Sequence, residues 1–267
     1  MTWVERLRRR TSSVPTMKSV HLPRTRLFLL ASFSALALVA PAAAQADGTT
    51  PPAPTTDAAA PKGSFEAVTV TRYLMGRVKP TQRARGSAHL WTNTGFSNRR
   101  AVYPVVRHQV LDDGSEWLQV RALRNRTQVK VWIPRWATRR VWIRYRIKID
   151  ISSRRATIYR DGRLARRFRV VVGAPSTPTP TGTWYVVDRM HLYNSWSQGR
   201  WALATSAFSR VLKRFDGGQG QIALHARGSL GEPVGTAASH GCVRFNNGDI
   251  AWMARHIPNG TQIQIRR

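Results

Sequence analysis

The sequence predicts a mainly β protein: a small β-barrel followed by a second β-rich region with one or two short helices. Three observations carry this. From Phe65 onward, apolar residues alternate in short runs separated by Gly, Pro and Asp turn signals. Asp161-Gly162 between two such runs is a two-residue hairpin signature. Only Ile250, Met253, Ala254 and Ile257 follow i, i+3, i+4, i+7 spacing, the apolar face of one short helix.

In chain order, Ala67–Val70 alternates, Val102–Val106 is a short apolar run, and Asp112-Asp113-Gly114 turns the chain before Trp117–Val120 and Gln128–Ile133. These runs span 64–140 and suit a small barrel. Its Trp91, Trp117, Trp132 and Trp136 have two readings, core or sugar-stacking surface. The second region, 141–267, opens with strands at Ile147–Ile151 and Ala156–Tyr159, and Arg167–Val172 follows the Asp-Gly turn. Gly173–Gly182, GAPSTPTPTG, cannot be a strand interior because proline lacks the ladder donor, so it is an ordered loop. Strands resume at Trp184–Val187, Ala202–Ala204 and Gln221–Leu224. Asn246–Asp249 offers cap residues for the helix, Pro258-Asn259-Gly260 stops it, and Thr261–Ile265 closes the chain as a strand.

Ahead of this lies an export signature. Residues 1–46 hold Arg24 and Arg26, an apolar run from Leu27 to Ala40, and small residues ending in Ala42-Ala43-Ala44 or Ala44-Gln45-Ala46: a secretory signal with an A-x-A cleavage site. Met17 makes a more ordinary start than Met1, and an uncleaved signal would leave the protein tethered to the membrane. Residues 47–63, rich in Pro, Thr and Ala, form a linker. With 43 Lys plus Arg against 13 Asp plus Glu, the net charge is +30. Export points that charge to anionic wall polymers and lipid headgroups rather than nucleic acid, or to a solubilising surface. No obligate protein partner is implied.

Export also gives the one cysteine meaning. Cys242 cannot form an intrachain disulfide, so it is an intermolecular bridge or a reactive thiol. It sits in Ser239-His240-Gly241-Cys242-Val243-Arg244, with His225 17 residues upstream at a strand end. A thiol needs a base to become a nucleophile, and either His225 or His240 qualifies. Gly241 permits a tight backbone whose N–H groups can meet an oxyanion. Arg244 can grip a substrate carboxylate or make an internal salt bridge. A metal at Cys242, His240 and His225 lacks a further ligand at a recognisable spacing, so neither metal nor cofactor is expected.

The SHGCVR cluster, His225, the TPTPTG loop at Thr177–Gly182 and the stretch Trp201–His225 resemble the L,D-transpeptidase (YkuD) catalytic domain. The DG…W…V…WI spacing upstream resembles bacterial SH3-like domains, which in exported wall enzymes bind peptidoglycan or position the catalytic domain. The resemblance implies a β-sandwich-like catalytic fold in which Cys242 is the nucleophile and His225 the proton donor and acceptor. Ser239, His240 and Gly241 shape the nucleophile loop, with the N–H groups of Gly241 and Cys242 as oxyanion donors, and Arg244 lies near substrate or braces that loop. It further implies acylation by the tetrapeptide stem of peptidoglycan, release of D-alanine, 3→3 cross-linking, and covalent inhibition by carbapenems. L,D-carboxypeptidase action and non-catalytic wall binding are the alternatives. The family's usual His-Gly is His225-Ala226 here, which raises the question of a positive φ at Ala226.

Overall fold

The computed structural model describes residues 59–193, 199–215 and 217–267; the expected signal and most of the expected linker lie outside them. Two main sheets and one α-helix make up the described chain.

The first sheet has the order β3-β2-β6-β5-β4-β1-β7, all neighbours antiparallel: β1 (Phe65–Val70), β2 (Leu74–Arg77), β3 (Gly86–Leu90), β4 (Tyr103–Val110), β5 (Glu116–Arg124), β6 (Thr127–Pro134) and β7 (Thr138–Ile143). Alternation sends Val68, Val70, Leu118, Val120, Val131 and Ile133 into one core with Leu90. Strands β2 and β3 were not legible in the sequence. Gly76 interrupts their pattern because a Cβ there would lie 2.5 Å from Val131 Cγ2, so close packing removed the side chain that would have marked a strand. Trp117 and Trp132 are core, while Trp91 and Trp136 are exposed; the Arg72 guanidinium covers Trp136 at 4.6 Å. Strand β7 pairs along all of β1, so the change of sheet falls at Arg144 rather than between 140 and 141.

The second sheet has the order β10-β9-β8-β17-β12-β13-β14-β16. Its strands are β8 (Tyr145–Asp150), β9 (Arg155–Arg160), β10 (Arg163–Arg169), β12 (Gly182–His191), β13 (Trp201–Phe208), β14 (Gln221–Ala226), β16 (Val243–Phe245) and β17 (Gln262–Arg266). A small parallel pair, β11 (Val172–Gly173) and β15 (Ala237–Ser239), stands beside it. Asp161 and Gly162 both adopt positive φ, 54° and 78°, the geometry a tight β9–β10 hairpin demands. Strand β10 is an edge, and its exposed arginines at 163, 166, 167 and 169 discourage strand addition by another chain.

Helix α1 (Asn247–His256) lays Ile250, Met253 and Ala254 on the core of the second sheet. Asn246 caps it through its backbone carbonyl, which accepts from Asp249 and Ile250, while its side chain bonds Asp249. The two sheets join through specific bonds. Gln128 donates from Nε2 to the Thr183 carbonyl at 2.9 Å and accepts from Ser206 Oγ at 2.6 Å. Buried Asp188 of β12 accepts from the backbone N–H of Ser97 at 3.0 Å and from its hydroxyl.

Candidate active site

Strands β13, β14 and β16 build the site by register. Leu203, Leu224 and Val243 stand side by side and are fully buried in the core. Since alternate residues point to opposite faces, their neighbours Ala202, His225 and Arg244 align on the other face. Ala223, two residues before His225, shares that face, and its backbone N–H points at Cys242 Sγ at 3.4 Å. Pairing between β14 and β16 thus brings Cys242 and His225 together across the 17 residues that separate them.

His225 is 5% exposed, and its Nδ1 lies 2.7 Å from the carbonyl oxygen of Ala226. A carbonyl only accepts, so Nδ1 carries the proton and in the neutral ring Nε2 is the basic nitrogen. Ala226 supplies this bond as the last residue of a regular strand, and its φ is not positive. Its methyl is accommodated by Gly199, where a Cβ would come within 2.5 Å of Ala226 Cβ.

Cys242 is partly exposed. Burial pushes its thiol above the ordinary 9.0, opposed by the Ala223 N–H and the Arg244 charge. The resting sulfur is therefore protonated at neutral pH, and a neighbouring base is needed to use it.

The loop that carries Cys242 is held from beneath by the Pro/Thr-rich loop. Thr179, 3% exposed, accepts from Gly173 N–H at 2.8 Å and donates to the Gly241 carbonyl at 2.9 Å. Thr177 Oγ1 and Ala174 N–H both donate to the Ser239 carbonyl, at 3.0 and 2.8 Å. Gly173 allows this wrapping, since a Cβ there would stand 2.4 Å from Thr177 O and Thr179 N. Gly241 takes φ +114°, a backbone that side chains rarely adopt.

Several expected roles change. The N–H of Gly241 donates to Ser239 Oγ at 3.1 Å, and Ser239 in turn donates to the Cys242 carbonyl at 2.5 Å. Gly241 therefore braces the loop and does not offer its N–H to an oxyanion. Arg244 is 7% exposed and sits against Glu232, Nη1 to Oε2 at 2.7 Å, which is the internal salt bridge among the two roles expected of it. That pairing holds the Glu232 carboxyl below its ordinary value. His240 is exposed and stacks on Phe215, ring centroids 4.8 Å apart, so it forms surface. Of the four histidines read as structural, His108 pairs with Glu66 at 2.6 Å and His256 bonds the Trp252 carbonyl at 2.8 Å. Sequence reasoning singled out the loop that contains Thr179 but not that residue, and missed Ala223, Phe215 and Glu232; of these Ala223 had a local signal, its even spacing from His225. Among the described residues no group of His, Cys, Asp or Glu could hold a metal ion.

Residues 144–265 match the family model described as the L,D-transpeptidase catalytic domain, YkuD. The putative L,D-transpeptidase YkuD of Bacillus subtilis is 26% identical over 125 residues, 47% of this chain and 68% of that protein. Its Bacillus licheniformis counterpart is 26% identical over 46% of this chain and 66% of that protein. Among solved structures, the avibactam carbamoyl enzyme of Ldtfm is 20% identical over 46% of this chain, with a TM-score of 0.37. The chain spans about half of that protein, 49%. The LdtMt1 transpeptidase in complex with imipenem is 14% identical over 78% of this chain and 94% of that one, with a TM-score of 0.39.

Proposed function

We propose, from the YkuD-type L,D-transpeptidase catalytic domain that residues 144–265 carry, that this protein is an exported cysteine acyltransferase that cross-links peptidoglycan stem peptides. The observation that carries the reading is the pairing of β14 with β16. It sets the Cys242 thiol against the Ala223 N–H while His225, two residues on, is held by Ala226 with Nε2 as its basic atom.

In the proposed reaction His225 Nε2 takes the thiol proton as Sγ attacks the carbonyl between the third and fourth residues of a donor stem. The oxyanion that forms is met by the Cys242 N–H, the Gly241 N–H being engaged by Ser239. The carbon–nitrogen bond breaks as the imidazolium returns its proton to the departing D-alanine amine, leaving a thioester on Cys242. The amine of a neighbouring stem then attacks the thioester, loses a proton to His225, and expels the sulfur, giving a 3→3 cross-link. Arg244, aligned with His225 and paired to Glu232, contributes positive potential beside the sulfur from a fixed position. We further read the first sheet as an SH3-like module facing the wall, and the basic surface as favouring anionic wall polymers.

Two measurements test this. Intact mass after incubation with a carbapenem is expected to show one adduct, absent in Cys242→Ala. With a disaccharide tetrapeptide, tripeptide-containing dimers are the expected product; trimmed tripeptide alone would point to carboxypeptidase action. Full activity in Cys242→Ala would refute the mechanism.

A further inference from the structure

A cavity of about 320 Å³ opens between the first sheet and β12, away from the cysteine. That volume is at the small end for ligand pockets and matches one small molecule or one unit of a polymer. His89, Trp91 and Tyr103 line it from the first sheet, and Tyr185 and Val187 line it from β12.

Trp91 is 58% exposed, yet its backbone is fixed twice by one buried hydroxyl. Tyr103 accepts from Trp91 N–H at 2.9 Å and donates to Trp91 C=O at 3.0 Å. Burial pushes that phenol up to about 12, so it stays a donor at any working pH. The Tyr73 ring leans on the indole at 4.8 Å and His89 stacks at 6.2 Å, while Tyr73 and His89 hydrogen-bond each other. An exposed aromatic surface assembled and clamped in this way is a preorganised contact face.

Polar groups of fixed planar shape stand on the same cavity. Asn93 is oriented by its Nδ2–H bond to Asn98 at 3.1 Å, and Arg124 by donation to Ser87 at 3.2 Å; Asn125 lies beside Arg124. An apolar ring face beside amide and guanidinium groups complements a pyranose, whose axial C–H face is apolar and whose rim carries paired hydroxyl and acetamido groups. No acidic side chain lines the cavity, which disfavours a cationic ligand.

One loop links this cavity to the catalytic face. Asn93, Thr94 and Gly95 line the cavity. The next residue, Phe96, packs on Met190, Leu192, Ala202 and Ala204, and Ser97 is bound by Asp188. Ala202 is the direct strand partner of His225. The loop that lines the cavity thus also packs against the strand partner of His225.

We infer that the cavity beneath Trp91 is a glycan subsite that seats an N-acetylated amino sugar of the strand whose stem peptide enters the cysteine cleft. The identity of the polymer rests on the transpeptidase reading above; the sugar chemistry rests on the cavity itself. The test is calorimetric titration of the full chain with the tetramer of N-acetylglucosamine, for the native protein, Trp91→Ala and Trp91→Phe, each also checked for the carbapenem adduct on Cys242. Binding that weakens roughly tenfold in Trp91→Ala and less in Trp91→Phe, with the adduct retained, is expected. Retention of the adduct shows that the variants fold. No binding to the native protein, or equal binding to Trp91→Ala, would overturn the subsite even where the adduct forms. Binding that depends on Trp91 without an adduct would keep the subsite and overturn the transpeptidase reading instead.

Discussion

Thr179→Val tests whether the Pro/Thr-rich loop holds the loop that carries Cys242. Valine has nearly the same shape, so the packing survives, but the hydroxyl that joins Gly173 N–H to the Gly241 carbonyl is gone. Both glycines are buried, and water cannot readily replace what is lost. Leaving a buried donor or acceptor unsatisfied costs about 1–3 kcal/mol each, so the pair should cost about 2–6 kcal/mol. For a folded body of this size that lowers Tm by roughly 4–24 °C. Thr179→Ser keeps both bonds and should recover most of the loss. The assay is thermal and urea unfolding, together with the rate at which iodoacetamide alkylates Cys242. The Thr179 hydroxyl also fixes the peptide that precedes Cys242, so Thr179→Val should slow carbapenem acylation while Thr179→Ser does not. A Thr179→Val protein that unfolds and acylates like the native chain would refute the argument, since the two bonds would then contribute nothing.

Glu232→Gln should leave the Arg244 charge uncompensated beside the sulfur, moving the pH profile of Cys242 alkylation to lower pH; an unchanged profile would show that the pair does not act on the thiol. In the native protein that profile should inflect above 9.0, because burial dominates the thiol. The Glu232 carboxyl is depressed when folded, so its pairing stabilises the protein above the ordinary 4.5 and is lost as pH falls through the lower folded value. Urea midpoints of the native and Glu232→Gln proteins should therefore converge as pH falls below 4.5 and through the lower folded value. Asp188→Asn weakens the charge-assisted bonds to Ser97 and should cost about 1.5–3 kcal/mol in urea unfolding; no change would mean that the loop is held by Phe96 alone.

Much of the architecture is written locally. Alternation marked β1, β5, β6, β8 and β9, the Asp-Gly pair marked the β9–β10 turn, and the spacing of Ile250, Met253, Ala254 and Ile257 marked α1, because these depend on neighbours a few residues apart. The candidate site was legible for the same reason: a lone thiol, glycine and histidine within a short segment mark it without coordinates. Strands β2 and β3 escaped because Gly76 gives up its side chain to a residue of β6, far away in sequence.

What tertiary structure alone decided is which partner each group has. His225 rather than His240 is buried, on a strand that pairs with the segment after Cys242, whereas His240 turns outward onto Phe215. The Gly241 N–H is occupied because Ser239 folds back beneath it. Arg244 answers to Glu232, and Ala226 serves where glycine was anticipated because Gly199 makes room for its methyl. Residue types fix what a group can do; burial and pairing, set by strands distant in sequence, fix which of those things it does.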